Sequence, residues 1–137
     1  MLSKIEIALA GRAAETIVFG KNEVTQCSIN DISYATSIVR EMVTKYGFSI
    51  IGPISLENSG KISIADGIVR NESIIADNTY SKIDNEIINI SKISLNNAIN
   101  IISNNRILLE KLVEILLIKE TIQNNIFKKI TSDLLKV

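Results

Sequence analysis

A chain of 137 residues, 46% of them hydrophobic, suffices for one domain with a buried core. Its 15 Lys and Arg balance 15 Asp and Glu, and zero net charge argues against a general nucleic-acid or anionic-membrane surface, since both need clustered positive charge. Histidine is absent and cysteine occurs once, which excludes a His general base, a self-contained His zinc site and an internal disulfide.

Isoleucine, asparagine and lysine are heavily used, with one proline and no tryptophan. That bias fits drift in an AT-rich genome, such as an organelle's or a reduced bacterium's. The asparagines are interleaved with isoleucine at helical spacing and do not form a disordered polar tract. The opening residues MLSKIEIALAG have no basic region followed by a long apolar run, so they do not read as a signal peptide. No run of ~18 apolar residues is available to span a bilayer. As written, the sequence reads as soluble.

The first expected helix is Leu2 to Phe19, with Ile5, Leu9, Ala13 and Ile17 recurring every four residues and Gly20 at the position of a left-handed cap. Gly11 interrupts it at a cost of about 1 kcal/mol relative to alanine. A glycine there suits close approach of a neighbouring helix.

Residues 21–30 read as a loop, followed by a helix from about Asp31 to Tyr46. Its apolar face is Ile32, Ala35, Ile38, Val39, Met42, Val43 and Tyr46, and Gly47 stops it. A linker carries Pro53, Gly52, Gly60 and Gly67. Within it, Ile50–Leu56 and Lys61–Ile64 are expected to pair as a short β-hairpin around Asn58-Ser59-Gly60.

From Asp77 the pattern is helical again. Tyr80, Ile83, Ile87, Ile90, Ala98 and Ile101 form a stripe that ends at Asn104-Asn105, and Arg106–Lys119 is denser in leucine. The two helices read as an antiparallel hairpin joined at the asparagine pair. Thr121 is expected to cap a last helix through Lys129. The fold class is mainly α, a single domain over residues 1–137, with no heptad sustained enough for a coiled coil.

Composition and periodicity lead no further than a helical domain. Five blocks say more: IALAGRAAETIVFG (Ile7–Gly20), EVTQCSINDISYAT (Glu23–Thr36), IVREMVTKYGFS (Ile38–Ser49), GPISLE (Gly52–Glu57) and LVEILLIKET (Leu112–Thr121). In this order they resemble the helical peptidase domain of FtsH, a membrane-anchored AAA zinc metalloprotease. The likeness covers nearly the whole chain. The short step from Phe48-Ser49 to Gly52-Pro53 and the block GPISLE look most like cyanobacterial and plastid members.

The resemblance implies a site. In the family an upstream His-Glu-x-x-His helix gives two zinc ligands and a general base, and an aspartate in a Thr-Thr-Gly-Ala-Ser-Asn-Asp-type segment gives the third. That position is Asp31 here, with Glu23, Val24, Thr25 and Asn30 matching around it. The chemistry suits the place: zinc accepts carboxylate oxygen, keeps one position open for water, and lowers the pKa of that water to about 7. Without the resemblance, Asp31 reads as an acidic residue in the first turn of a helix, worth about 0.3–1 kcal/mol through the helix dipole. Asn30 reads as a helix cap.

Glu15 has two open readings. The resemblance makes it a partner that orients a zinc-bound histidine; the spacing alone makes it a helix charge paired with Arg12 at i, i+3. Arg12 reads as structural, and Cys27 as a small packing residue in preference to a soft zinc ligand.

Several positions depart from the family pattern. Ala10-Gly11 stands for Gly-Gly, Thr16 follows Glu15 where a second glutamate is usual, and Gln26-Cys27-Ser28-Ile29 replaces most of Thr-Gly-Ala-Ser. The stretch leading into the long helix is divergent and is assigned no chemistry.

The 137 residues contain no His-Glu-x-x-His and no Gly-x-x-x-x-Gly-Lys-Ser/Thr phosphate loop. On its own the polypeptide is therefore expected to be proteolytically inactive, with an incomplete zinc site. ATP and magnesium would act through an AAA module, and membrane association through an anchor, neither of which these residues supply. Three readings stay open: the C-terminal part of an ATP-dependent protease acting on unfolded proteins within a hexamer of FtsH-type subunits, a non-catalytic assembly subunit of such a ring, or an inactive gene remnant. The resemblance implies a plastid, or alternatively a bacterial inner membrane. Without the upstream helix, an exposed face near Leu9, Ala13 and Ile38 is expected, and with it self-association or marginal stability.

Overall fold

The computed structural model describes residues 1–50, 52–55 and 77–134. Among these residues five α-helices follow one another: α1 (Leu2–Val18), α2 (Ile29–Thr44), α3 (Asp77–Asn104), α4 (Arg106–Lys119) and α5 (Asn124–Leu134). A single 3-10 turn, Gln26–Ser28, leads directly into α2. The chain is mainly α, as expected.

The core comes from four-residue spacing. Ile5, Leu9 and Ala13 are buried on α1, and Ala35, Val39 and Val43 on α2. On α3 the buried positions are Ile83, Ile87, Ile90, Ser94 and Ala98. Each set is one stripe of a 3.6-residue helix. Together α1, α2 and α3 close around Ile5, Leu9, Val39, Val43, Ile83, Ile87 and Ile90, with Ala8, Ile38, Met42 and Leu95 packed against them. Burying an isoleucine or valine stabilises by about 1.5–3 kcal/mol, so these few side chains dominate the fold. A hydrogen bond from Asn97 Nδ2 to Glu6 Oε1, 3.0 Å, adds a polar tie between α3 and α1.

The polar helix residues are accommodated locally. Hydroxyls of Thr16, Thr36, Thr44 and Ser91 donate to the carbonyls four residues back, at 2.8–2.9 Å. Such bonds let a Ser- and Thr-containing sequence stay helical without leaving donors unmet.

The ends differ from the sequence reading in detail. α2 starts two residues before Asp31, because the 3-10 turn feeds it, and it stops at Thr44. Asn30 is therefore its second residue and not its cap; the capping position is Ser28. Thr121 does not cap α5, which begins at Asn124, where the Phe127 amide donates to the Gln123 carbonyl at 3.0 Å. Gly20 takes the left-handed conformation expected of it, at φ +95°, and Gly47, expected to stop α2, is left-handed too, at φ +66°.

The expected β-hairpin falls mostly outside the described residues. Its described part, Ile50 and residues 52–55, is not strand, and the Gly52 amide turns back to the Ser49 carbonyl. The C-terminal helical pair is joined at the asparagine pair as expected. A single residue, Asn105, is too short a link for α4 to fold back along α3. The two scarcely touch, and α3 packs on α1 and α2 instead. α4 buries no residue, leaving Ile107, Leu117 and Ile118 exposed. Among the described residues no helix is long and apolar enough to cross a membrane.

Candidate functional site

Lys4, Ile7, Ala8 and Gly11 lie one above another on α1, because residues three and four apart share a helix face. Asp31 and Tyr34 do the same on α2. The two stripes line one cleft of about 420 Å³. Its floor opens at Gly11, where a methyl group would meet Asp31 Oδ2 at 4.0 Å. The close helix approach expected at Gly11 is not seen: the nearest atom outside α1 is this side-chain oxygen, at ordinary van der Waals distance from such a methyl.

Asp31 is the acidic residue of the first turn of α2 and is exposed to solvent. Unpaired amides at a helix N-terminus attract negative charge, so the backbone suits a carboxylate at this point. Ser28, at the capping position, makes no side-chain cap bond; its Oγ is buried without a hydrogen-bond partner.

Glu15 is not among the cleft's lining residues. Both its oxygens are taken by Thr25: Oε1 accepts from Thr25 Oγ1 at 2.8 Å and Oε2 from the Thr25 amide at 3.3 Å. The Thr25 hydroxyl in turn accepts from the Cys27 amide at 3.3 Å. Cys27 is a free, exposed thiol and not a packing residue. Arg12 is half-buried, and its carbonyl receives the Thr16 hydroxyl.

The face expected to lie bare is different from the one observed. Leu9 and Ala13 are core and Ile38 packs against it, whereas Ile7 and Tyr34, at the cleft, are 74% and 57% exposed. Stripe membership on α1 flips between Ile5 and Ile7 within two residues, because two residues on a helix lie on nearly opposite sides.

A single carboxylate does not hold a metal, and no group of three His, Cys, Asp or Glu side chains comes together among the described residues. Asp31 fits as one ligand presented into a cleft, not as a complete site. A larger cleft of about 650 Å³, lined by Ile50, Thr79, Lys82, Asn85, Glu86 and Asn89, offers one carboxylate beside one ammonium and amides. It too gathers no group of three potential metal ligands among the described residues, so size alone does not favour it over the Asp31 cleft.

Residues 1–130 match peptidase family M41. The chain belongs to that family. It is 41% identical over 133 residues to "ATP-dependent zinc metalloprotease FtsH" of Cyanidium caldarium, covering 97% of this chain and 22% of that protein. It is 39% identical over 142 residues to "ATP-dependent zinc metalloprotease FTSH 2, chloroplastic" of Arabidopsis thaliana, covering all of this chain and 20% of the relative. The like-named FtsH of Mesomycoplasma conjunctivae is 38% identical over 122 residues. The chain thus spans about a fifth of the length of the algal and plant M41 relatives.

Within this M41 chain, sequence reasoning missed Lys4 and Tyr34 as neighbours of Asp31, and Thr25 as the partner of Glu15. Spacing could have found the first two: Lys4 precedes Gly11 by seven residues and Tyr34 follows Asp31 by three, so each shares a face with the residue already singled out. Nothing local announces the third, a contact across ten residues.

Proposed function

We propose that this chain contributes the C-terminal part of the peptidase domain of an FtsH-type, ATP-dependent zinc metalloendopeptidase, with Asp31 as its zinc ligand. One observation carries the reading: the Asp31 carboxylate is held in the first turn of α2, across from Gly11, at a cleft between two packed helices. Zinc held by three protein ligands would supply a water of lowered pKa and polarise the scissile carbonyl. The chain's own share is one carboxylate, fixed in place by α2. Two histidines and a glutamate base must come from a His-Glu-x-x-His helix, because these 137 residues contain no histidine. By themselves they are proteolytically inactive.

On this reading the unfolded-protein substrates, the ATP and magnesium, and a plastid or bacterial membrane setting belong to the assembled protease. The assembly is a ring of FtsH-type subunits, a hexamer in the family pattern. The exposed apolar residues of α4, Ile107, Leu117 and Ile118, suit an assembly contact, which this reading shares with a second one in which the chain serves as a non-catalytic subunit.

The test joins the chain to the preceding segment of an M41 relative and measures zinc content, ATP hydrolysis and degradation of an unfolded substrate. Asp31→Asn is expected to lower zinc content and abolish degradation while ATP hydrolysis continues. Full degradation in that variant overturns the ligand assignment. Unchanged zinc binding without any activity in the parent protein favours the assembly subunit.

A further inference from the structure

α1 meets the approach to α2 at two points one helical turn apart: Gly11 opposite Asp31, and Glu15 on Thr25. Little else restrains the connection. Between Phe19 and Tyr34 the one buried residue is Ser28, and its hydroxyl has no partner. Of its apolar side chains only Val24 is half-buried, and it is not among those packed against the core. The polar contacts therefore matter more here than they would in a packed loop.

We propose that Glu15 is a positioning residue for Asp31, acting through Thr25 and not through a metal-bound histidine. Both carboxylate oxygens are used: one receives the Thr25 hydroxyl, the other the Thr25 amide. The bidentate grip fixes Thr25 in extended backbone, φ −91° and ψ 172°. The same hydroxyl then accepts the Cys27 amide and starts the 3-10 turn Gln26–Ser28, which runs without a break into Ile29. Asp31 is the third residue of the helix so launched. Glu15 thus sets where α2 begins, and with it the height of the Asp31 carboxylate above Gly11. A carboxylate is needed because amide and hydroxyl both donate to it; glutamine at this position would turn an NH2 towards one of the two donors.

The geometry of the clamp is independent of any metal, although its catalytic consequence rests on Asp31 being a ligand. The experiment therefore uses the 137-residue chain without metal. Amide hydrogen exchange is followed at Thr25 and Cys27, together with the 13C shift of the Asp31 side-chain carboxyl, and the Val39 and Ile87 amides report on the core. In Glu15→Ala and Glu15→Gln, exchange at Thr25 and Cys27 is expected to rise by about tenfold, the scale of one lost hydrogen bond. The Asp31 carboxyl resonance should move, and the Val39 and Ile87 amides stay protected. Thr25→Val should speed exchange at Cys27, and Thr25→Ser should restore it. Unchanged exchange and an unmoved Asp31 resonance in the Glu15 variants overturn the proposal, as does a Thr25→Ser variant that behaves like Thr25→Val. If Glu15→Ala unfolds, the Thr25→Val and Thr25→Ser pair decides by itself. Asp31 makes none of the clamp's bonds, so Asp31→Asn should leave exchange at Thr25 and Cys27 unaltered whether or not Asp31 binds zinc, and the two assignments fail separately.

Discussion

Gly11 on α1 and Asp31 on α2 stand so that a methyl group on the glycine would lie 4.0 Å from the Asp31 Oδ2. That is ordinary van der Waals contact, and it divides the substitutions possible at Gly11 into two kinds. Alanine fits, and it removes the cost of about 1 kcal/mol that a glycine imposes inside a helix. Gly11→Ala should therefore raise the melting temperature of the chain by about 3 °C, read by circular dichroism. Gly11→Leu cannot stop at the methyl and must enter the cleft beside Asp31. It should keep the helical spectrum, yet in the reconstituted peptidase it should lower zinc content as Asp31→Asn does. A fall in melting temperature with Gly11→Ala would mean that the helices are closer than this geometry allows.

Ser28 inverts the usual capping expectation. Replacing an N-cap serine by alanine typically costs about 0.5–2 kcal/mol, because the side chain satisfies a free amide. Here the Ser28 side chain makes no cap bond, and its Oγ is buried without a partner. A buried hydroxyl left unmet costs about 1–3 kcal/mol. Ser28→Ala should therefore be neutral or stabilising by about 1 kcal/mol in urea denaturation. A loss above 1 kcal/mol would show that the hydroxyl supports the start of α2 after all.

The legible and illegible parts of this molecule separate by range. Four-residue spacing found Ile5, Leu9, Ala13, Ala35, Val39, Val43, Ile83, Ile87, Ile90 and Ala98, and all of these are buried. The same spacing overran at stripe ends, where Ile32, Tyr46, Tyr80 and Ile101 are exposed: periodicity continues past the point at which a partner helix is present to cover it. Ser94 is polar and so does not register as core, yet it occupies the stripe between Ile90 and Ala98 and is 1% exposed. Asn30 and Thr121 are good capping residues by local signal alone, and the 3-10 turn and the Gln123 carbonyl override that signal. Asp31 could be named from the family motif, and its place at the cleft followed from α2. The Glu15–Thr25 contact could not be read, since nothing in either residue's neighbourhood specifies the other.

Gly47 closes the turn after α2 and is the most crowded of the described glycines. Its φ is +66°, and a side chain there would meet Pro53 Cα at 2.8 Å, the Ile54 nitrogen at 2.9 Å and the Pro53 carbonyl carbon at 3.0 Å. All three are backbone atoms, so a change of rotamer cannot relieve the contact and the turn must open. The Phe48 amide, which bonds the Met42 carbonyl at 3.0 Å, opens with it. Gly20 provides the control. Its φ of +95° is at least as unfavourable for alanine, but nothing lies within 4 Å of a methyl group placed on it. Gly20→Ala should cost about 1–2 kcal/mol through backbone conformation alone. Gly47→Ala should pay the same kind of penalty plus the collision, about 2–4 kcal/mol in all. The difference between the two, measured by chemical denaturation under the same conditions, isolates the steric term. Equal losses would mean that Pro53 does not approach Gly47, and that the turn after α2 is held by the Phe48–Met42 bond instead.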